Sequence, residues 1–95
     1  MIKEEFKALE KDREDLLLLD IREDEELSAD TKVEGSTHMP MGKVFTETAK
    51  DNLPKDKKII VFCRSGSRAE IVARELRAKG YDVEGLEGGL SELNG

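Results

Sequence analysis

Apolar residues fall in short blocks along this chain, and the blocks alternate between two periods. In "IKEEFKALEKD", Ile2, Phe6 and Leu9 recur at helical spacing, with Glu4 and Glu5 early and lysines later. That pattern predicts an amphipathic helix whose charges suit its dipole. "LLLLDIR" follows, a near-continuous apolar run bounded by charge. It predicts a strand buried on both faces, as parallel sheets require. "EDEEL" predicts one short helical turn, and "VEGSTHMPMG", Val33 to Gly42, a short strand among turn formers. "KVFTETAKDNLP" predicts a helix stopped by Asn52 and Pro54. "KKIIVFC" is a second buried strand. "SRAEIVARELRAKG" then puts Ala69, Val72, Ala73 and Leu76 on one helical face. Ser67 and Glu70 fit a capping box there, and Gly80 sits where a C-terminal cap belongs. "YDVEGLEGG" predicts a last short strand and "LSELNG" a final turn.

Strands alternating with helices predict an α/β domain with a small, mostly parallel sheet flanked by helices on both faces. In such sheets ligands bind beyond the carboxyl ends of the strands. Asp20 and Cys63 each end a strand, so both are expected on that edge. The length of 95 residues suits a single domain spanning 1–95. Charged residues make up 40% of the chain and apolar ones 37%, yet the apolar ones are clustered enough to build a core. The net charge of -6 argues against nucleic acid as a partner. It also requires any anion site to be local. No apolar run is long enough to span a bilayer, and no signal peptide is evident. A lone cysteine can form neither an internal disulfide nor a thiolate zinc cluster, so a cytoplasmic protein with no metal or cofactor is expected.

Chemistry concentrates in "VFCRSGSRAE". By itself, a cysteine closing "IIVFC" is a small buried hydrophobe. The residues after it point elsewhere. A helix N-terminus follows, and its unpaired N–H groups stabilise a thiolate, the reactive form. Arg64 and Arg68 bracket the loop, and a guanidinium holds an oxyanion through two parallel hydrogen bonds. Ser65, Gly66 and Ser67 are small enough for consecutive N–H groups to turn toward one centre. Cys63 is therefore the candidate nucleophile, and Arg64 through Arg68 form its anion cradle.

These residues resemble the active-site loop of the rhodanese-like sulfurtransferases. "LLLLDIRE" with Glu26-Leu27 is similar to that family's strand ending in Asp-x-Arg-Glu and its acidic-apolar pair. Gly35, His38, Met39 and Pro40 resemble its Gly-x-x-His-apolar-Pro segment, and "GYDVEGLEGG" its closing strand and Gly-Gly turn. The resemblance implies that the Cys63 thiolate takes the outer sulfur of a small anionic donor such as thiosulfate, forming a persulfide. Cyanide, a small thiol or a partner protein's thiol then removes the sulfur. With no second cysteine, the acceptor must come from outside.

Two other functions compete. One is a non-catalytic persulfide carrier or interaction module. The other is a phosphatase or arsenate-reductase-like enzyme. Related phosphatase loops run Cys-x5-Arg, whereas here Arg68 comes one position earlier and position 69 is Ala. The shorter loop suits sulfur. Asp20 is expected to support the loop through its amides or an arginine, with Arg22 as an ion-pair partner. His38 is assigned a structural role, because a helix-end thiolate needs no base. Met39 and Met41 are expected in the core, Arg74 in solvent, and "REDEEL" as a solvated acidic face.

Overall fold

Nine elements are seen in the computed structural model, which describes residues 1–9, 15–29, 33 and 35–94. They are α1 (Lys3–Leu9), β1 (Leu16–Asp20), α2 (Asp24–Ala29), β2 (Thr37–His38), α3 (Met41–Ala49), β3 (Lys58–Phe62), α4 (Ser67–Ala78), β4 (Val83–Gly85) and α5 (Gly89–Asn94). The end of the first expected helix, beyond Leu9, lies outside the described residues, as do Glu34 of "VEGSTHMPMG" and the final Gly95.

Both apolar runs became the central strands. β1 pairs with β3 in parallel from Leu16 opposite Lys58 to Asp20 opposite Phe62. The strand order is β2-β1-β3-β4, and every pairing is parallel. The fold is α/β, with its sheet wholly parallel among the described residues.

Side chains alternate along each strand and so divide the core in two. Leu19, Ile59 and Val61 pack with Val44 of α3 and with Ala69, Val72, Ala73 and Leu76 of α4. Leu18, Ile60 and Phe62 pack with Phe6 of α1 and Leu90 of α5. Helices thus cover both faces. Phe6 is 1% exposed and is the buried anchor of α1. Burying a ring of that size stabilises the seven-residue helix by about 1.5–3 kcal/mol, which a helix so short needs. Met39 and Met41 lie half-buried against the first cluster. Arg74 is exposed and, among the described residues, forms only a long i,i+4 pair with Glu70.

Two local expectations are corrected. The start of α4 is not a capping box. Gly66 occupies the N-cap position at φ 99°, in the left-handed region, and no side chain caps the helix. Ser67 is already the first helical residue, and its hydroxyl lies 3.3 Å from that of Ser65. The left-handed turn at Gly66 aims an amide back toward the preceding strand, which leaves no place for a serine cap. The helix α3 starts at Met41, earlier than the sequence pattern suggested, because the carbonyl of Pro40 accepts from Lys43 and Val44 N–H groups.

Candidate active site

Cys63 follows β3 on the same side as Ile59 and Val61 and belongs to the apolar cluster under α3 and α4. It is 0% exposed. Its sulfur nevertheless has a polar partner, because the Gly66 backbone N–H donates to Sγ at 3.1 Å. Only glycine fits this turn comfortably. A Cβ at Gly66 would add left-handed strain and lie 3.0 Å from the Gly88 nitrogen and 3.2 Å from the Leu86 oxygen. Of the expected loop amides, that of Gly66 is the one that reaches the sulfur. Ser65 and Ser67 face solvent, and Arg64 is exposed.

The loop is held from the far side by α5. Leu90 N–H donates to the Cys63 carbonyl and Ser91 N–H to the Arg64 carbonyl, each at 3.0 Å. The Ser91 hydroxyl adds a bond to Arg64 O at 2.9 Å. These contacts require Gly89, whose absent Cβ would stand 2.3 Å from the Cys63 oxygen. The sequence carried this only as a Gly-Gly turn in a family resemblance. A cleft lined by Ser65, Gly66, Glu70, Leu86, Glu87 and Gly88 opens beside the loop.

Arg68 turns toward Glu26 of α2. Its two terminal nitrogens donate to the two carboxylate oxygens at 2.6 and 2.8 Å, a fork-on-fork pair. These hydrogen bonds, then a backbone bond from Glu23, hold the Glu26 carboxyl down from 4.5 to about 2. The same contact raises the already high Arg68 value, with the charge and hydrogen bonding of Cys63 adding to it. Glu26 thus holds the Arg68 guanidinium, and the Cys63 thiol adds to the field it feels. "REDEEL" is thus not simply a solvated face, since Glu26 is half-buried and committed to the loop.

Asp20 and Arg22 are both 0% exposed and pair with each other. Arg22 Nε donates to Asp20 Oδ1 at 3.0 Å and Nη2 to Oδ2 at 2.8 Å, while the Arg22 amide donates to Oδ1 at 3.1 Å. The carboxylate thus engages Arg22, not the amides of the Cys63 loop as one expectation had it. Its strand position is opposite Phe62, one residue before the cysteine. His38 Nε2 lies 2.7 Å from the Arg22 carbonyl, and Nδ1 lies 3.7 Å from Asp24. Among the described residues no group of His, Cys, Asp and Glu is arranged to hold a metal.

A parallel sheet that ends in a cysteine, an arginine-flanked loop and a helix defines a class, and sequence comparison places the chain within it. Residues 3–95 match the rhodanese-like domain family, and the chain belongs to that family. It is similar to YtwF of Bacillus subtilis, named as a candidate sulfurtransferase, with 35% identity over 86% of this chain and 77% of that one. It is 35% identical to a tRNA sulfurtransferase of Desulfurococcus amylolyticus over 81% of this chain but spans only 14% of that protein. A third relative, YrkF of Bacillus subtilis, is named as a candidate sulfur carrier and shares 35% identity over 82% of this chain and 40% of its own. Among solved structures, a rhodanese homologue of Thermus thermophilus superposes with a TM-score of 0.74 at 28% identity, covering 96% of this chain and 95% of that one. A rhodanese-related protein of Thermoplasma volcanium gives 0.76 at 26% identity, over 90% and 83% of the two chains.

Proposed function

We propose that residues 1–95 form one sulfurtransferase domain that moves a sulfane sulfur from an anionic donor such as thiosulfate to a cyanide or thiol acceptor through a persulfide on Cys63. The observation that carries this is the Gly66 N–H donating to Cys63 Sγ at 3.1 Å. A fixed backbone donor aimed at sulfur stabilises negative charge there before and after sulfur uptake.

In the first half-reaction the thiolate attacks the outer sulfur of thiosulfate. The S–S bond of the donor breaks, and sulfite leaves with the electron pair. In the second, the acceptor attacks the outer sulfur of the persulfide and the Cys63 thiolate is restored. No oxidant, metal or cofactor enters either step. Arg64 and Arg68 supply positive charge near the incoming donor. Because Cys63 is fully buried, a donor reaches the sulfur only when the loop opens. A free thiol as the reactive group fits a reducing, cytoplasmic setting.

Intact mass after incubation with thiosulfate is the test. A gain of one sulfur, absent in Cys63→Ser, is expected, together with ping-pong kinetics when cyanide is the acceptor. Hydrolysis of an aryl phosphate without sulfur uptake would overturn the assignment.

Burial of the thiol also favours a second reading, a persulfide carrier that exchanges sulfur with partner proteins, as the name of YrkF suggests for that relative. Loading by a cysteine desulfurase but not by thiosulfate would select it.

A further inference from the structure

Arg68 is a loop cation that the Cys63 thiol acts on, and the loop pattern offers it to an anionic donor, yet a carboxylate of this chain already sits in its fork. From that pairing we infer that Glu26 determines which sulfur donor the site accepts, tuning it for persulfides of low charge and against divalent oxyanion donors. This rests on the sulfur-transfer function proposed above.

Formal charge decides the matter. Attack of the Cys63 thiolate on thiosulfate brings one negative charge to meet two, so three must be held together until sulfite leaves. Attack on the outer sulfur of a neutral hydropersulfide, R–S–SH, forms the Cys63–S bond, breaks the donor's S–S bond and releases R–S⁻ with the electron pair. Only one negative charge is present throughout. Among the loop and its partner, Arg64 and Arg68 contribute +2 and Glu26 subtracts one. With the charge of Arg68 offset by Glu26, and Glu70 and Glu87 lining the adjoining cleft, the site suits the second reaction and undersupplies the first.

Glu26 is not an accidental surface partner. Both of its oxygens are used, and its side chain is 25% exposed against 30% for Arg68. It lies on α2 and its partner on α4, 42 positions apart, so the pair also sets the distance between the two elements flanking the loop. Its carboxyl stays ionised far below neutral pH, held by the Arg68 hydrogen bonds, with Arg64 adding to the field. Glu26 acts on the donor through Arg68 and is a positioning residue.

The experiment compares kcat/KM for thiosulfate and for 2-mercaptoethanol persulfide in the parent chain, Glu26→Gln, Glu26→Asp and Arg68→Gln. Intact mass and melting temperature are recorded for each. Glu26→Gln is isosteric and keeps one acceptor for Arg68. It is expected to raise the thiosulfate-to-persulfide ratio about five- to tenfold, the effect of one unit charge across a few ångströms at a partly exposed site. Added salt should shrink that gain. Glu26→Asp should return the ratio to the parent value, and Arg68→Gln should lower it. A ratio unmoved by Glu26→Gln, or moved equally by Asp and Gln, overturns the role of Glu26 while leaving sulfur transfer intact. If neither donor loads Cys63 in the parent, the reading as an enzyme acting on small sulfur donors falls and this inference with it.

Discussion

Replacing Gly89 by alanine tests how firmly α5 holds the reactive loop. Gly89 has φ 56°, and the new Cβ would lie 2.3 Å from the Cys63 oxygen, 2.7 Å from the Arg64 oxygen and 2.8 Å from the Arg64 carbonyl carbon. All three neighbours are backbone, so no side chain can swing aside. Bringing the shortest contact to 3.0 Å moves loop and turn apart by at least ~0.7 Å. That displacement stretches the bonds from Leu90 N–H to Cys63 O and from Ser91 N–H to Arg64 O, each now 3.0 Å. Two weakened hydrogen bonds at about 1 kcal/mol each, with about 1 kcal/mol for alanine in the left-handed region, total about 3 kcal/mol. In a domain of this size that lowers Tm by roughly 12–24 °C. Gly42→Ala is the matched control. A Cβ there meets nothing within 4 Å, and helix α3 gains up to about 1 kcal/mol. Urea and thermal unfolding followed by circular dichroism read stability, and the rate of sulfur loading by intact mass reads the site. A Gly89→Ala chain that melts within a degree or two of the parent and loads sulfur at the parent rate would show that α5 does not hold the loop.

Asp20→Ala removes the buried carboxylate that Nε and Nη2 of Arg22 donate to, and urea unfolding should report a loss of about 3–5 kcal/mol. The double variant Asp20→Ala, Arg22→Met should recover most of it, and a cost under about 1 kcal/mol for the single variant would contradict the burial of this pair. Glu26 has its folded value depressed, so the stability it contributes is present above pH 4.5 and is lost as pH falls toward 2. Screening at these partly exposed side chains limits the contribution to about 1 kcal/mol. The stability gap between parent and Glu26→Gln should therefore be open at pH 6 and narrow progressively below pH 4.5; a gap constant over that range would show that the charge plays no part.

Continuous apolar runs made β1 and β3 legible, because a strand covered on both faces has no need of alternation. The face of α4 was legible for a related reason, since Ala69, Val72, Ala73 and Leu76 repeat at the period of the helix that buries them. Cys63 and its arginines were legible because the loop is contiguous. What stayed hidden depends on approach through space. Glu26 stood out only as half of an acidic-apolar pair in a family resemblance, and nothing local shows that it reaches the loop while its neighbours in "REDEEL" stay in solvent. Its partner lies 42 positions away. Gly89 touches Cys63 across 26 positions for the same reason. The capping box failed differently. Ser67 and Glu70 have the right spacing, but the left-handed turn at Gly66 directs its amide to the sulfur and takes the cap position from serine. A local preference yielded there to the geometry of the site.

The column Ile59, Val61, Cys63 carries a consequence for how this chain can vary. Residues on a strand are counted in twos, and the thiol is the next odd step after two core side chains. Inserting or deleting one residue between Lys58 and Cys63 would turn the cysteine toward the α1 and α5 face and bring a neighbour into its place. The sulfur would then be the wrong side up, however well the loop sequence survived. Changes of two residues keep the sense, and changes of one reverse it. The spacing that fills the core thus also works as a parity check on the nucleophile, and the length of β3 is constrained as tightly as the loop it feeds.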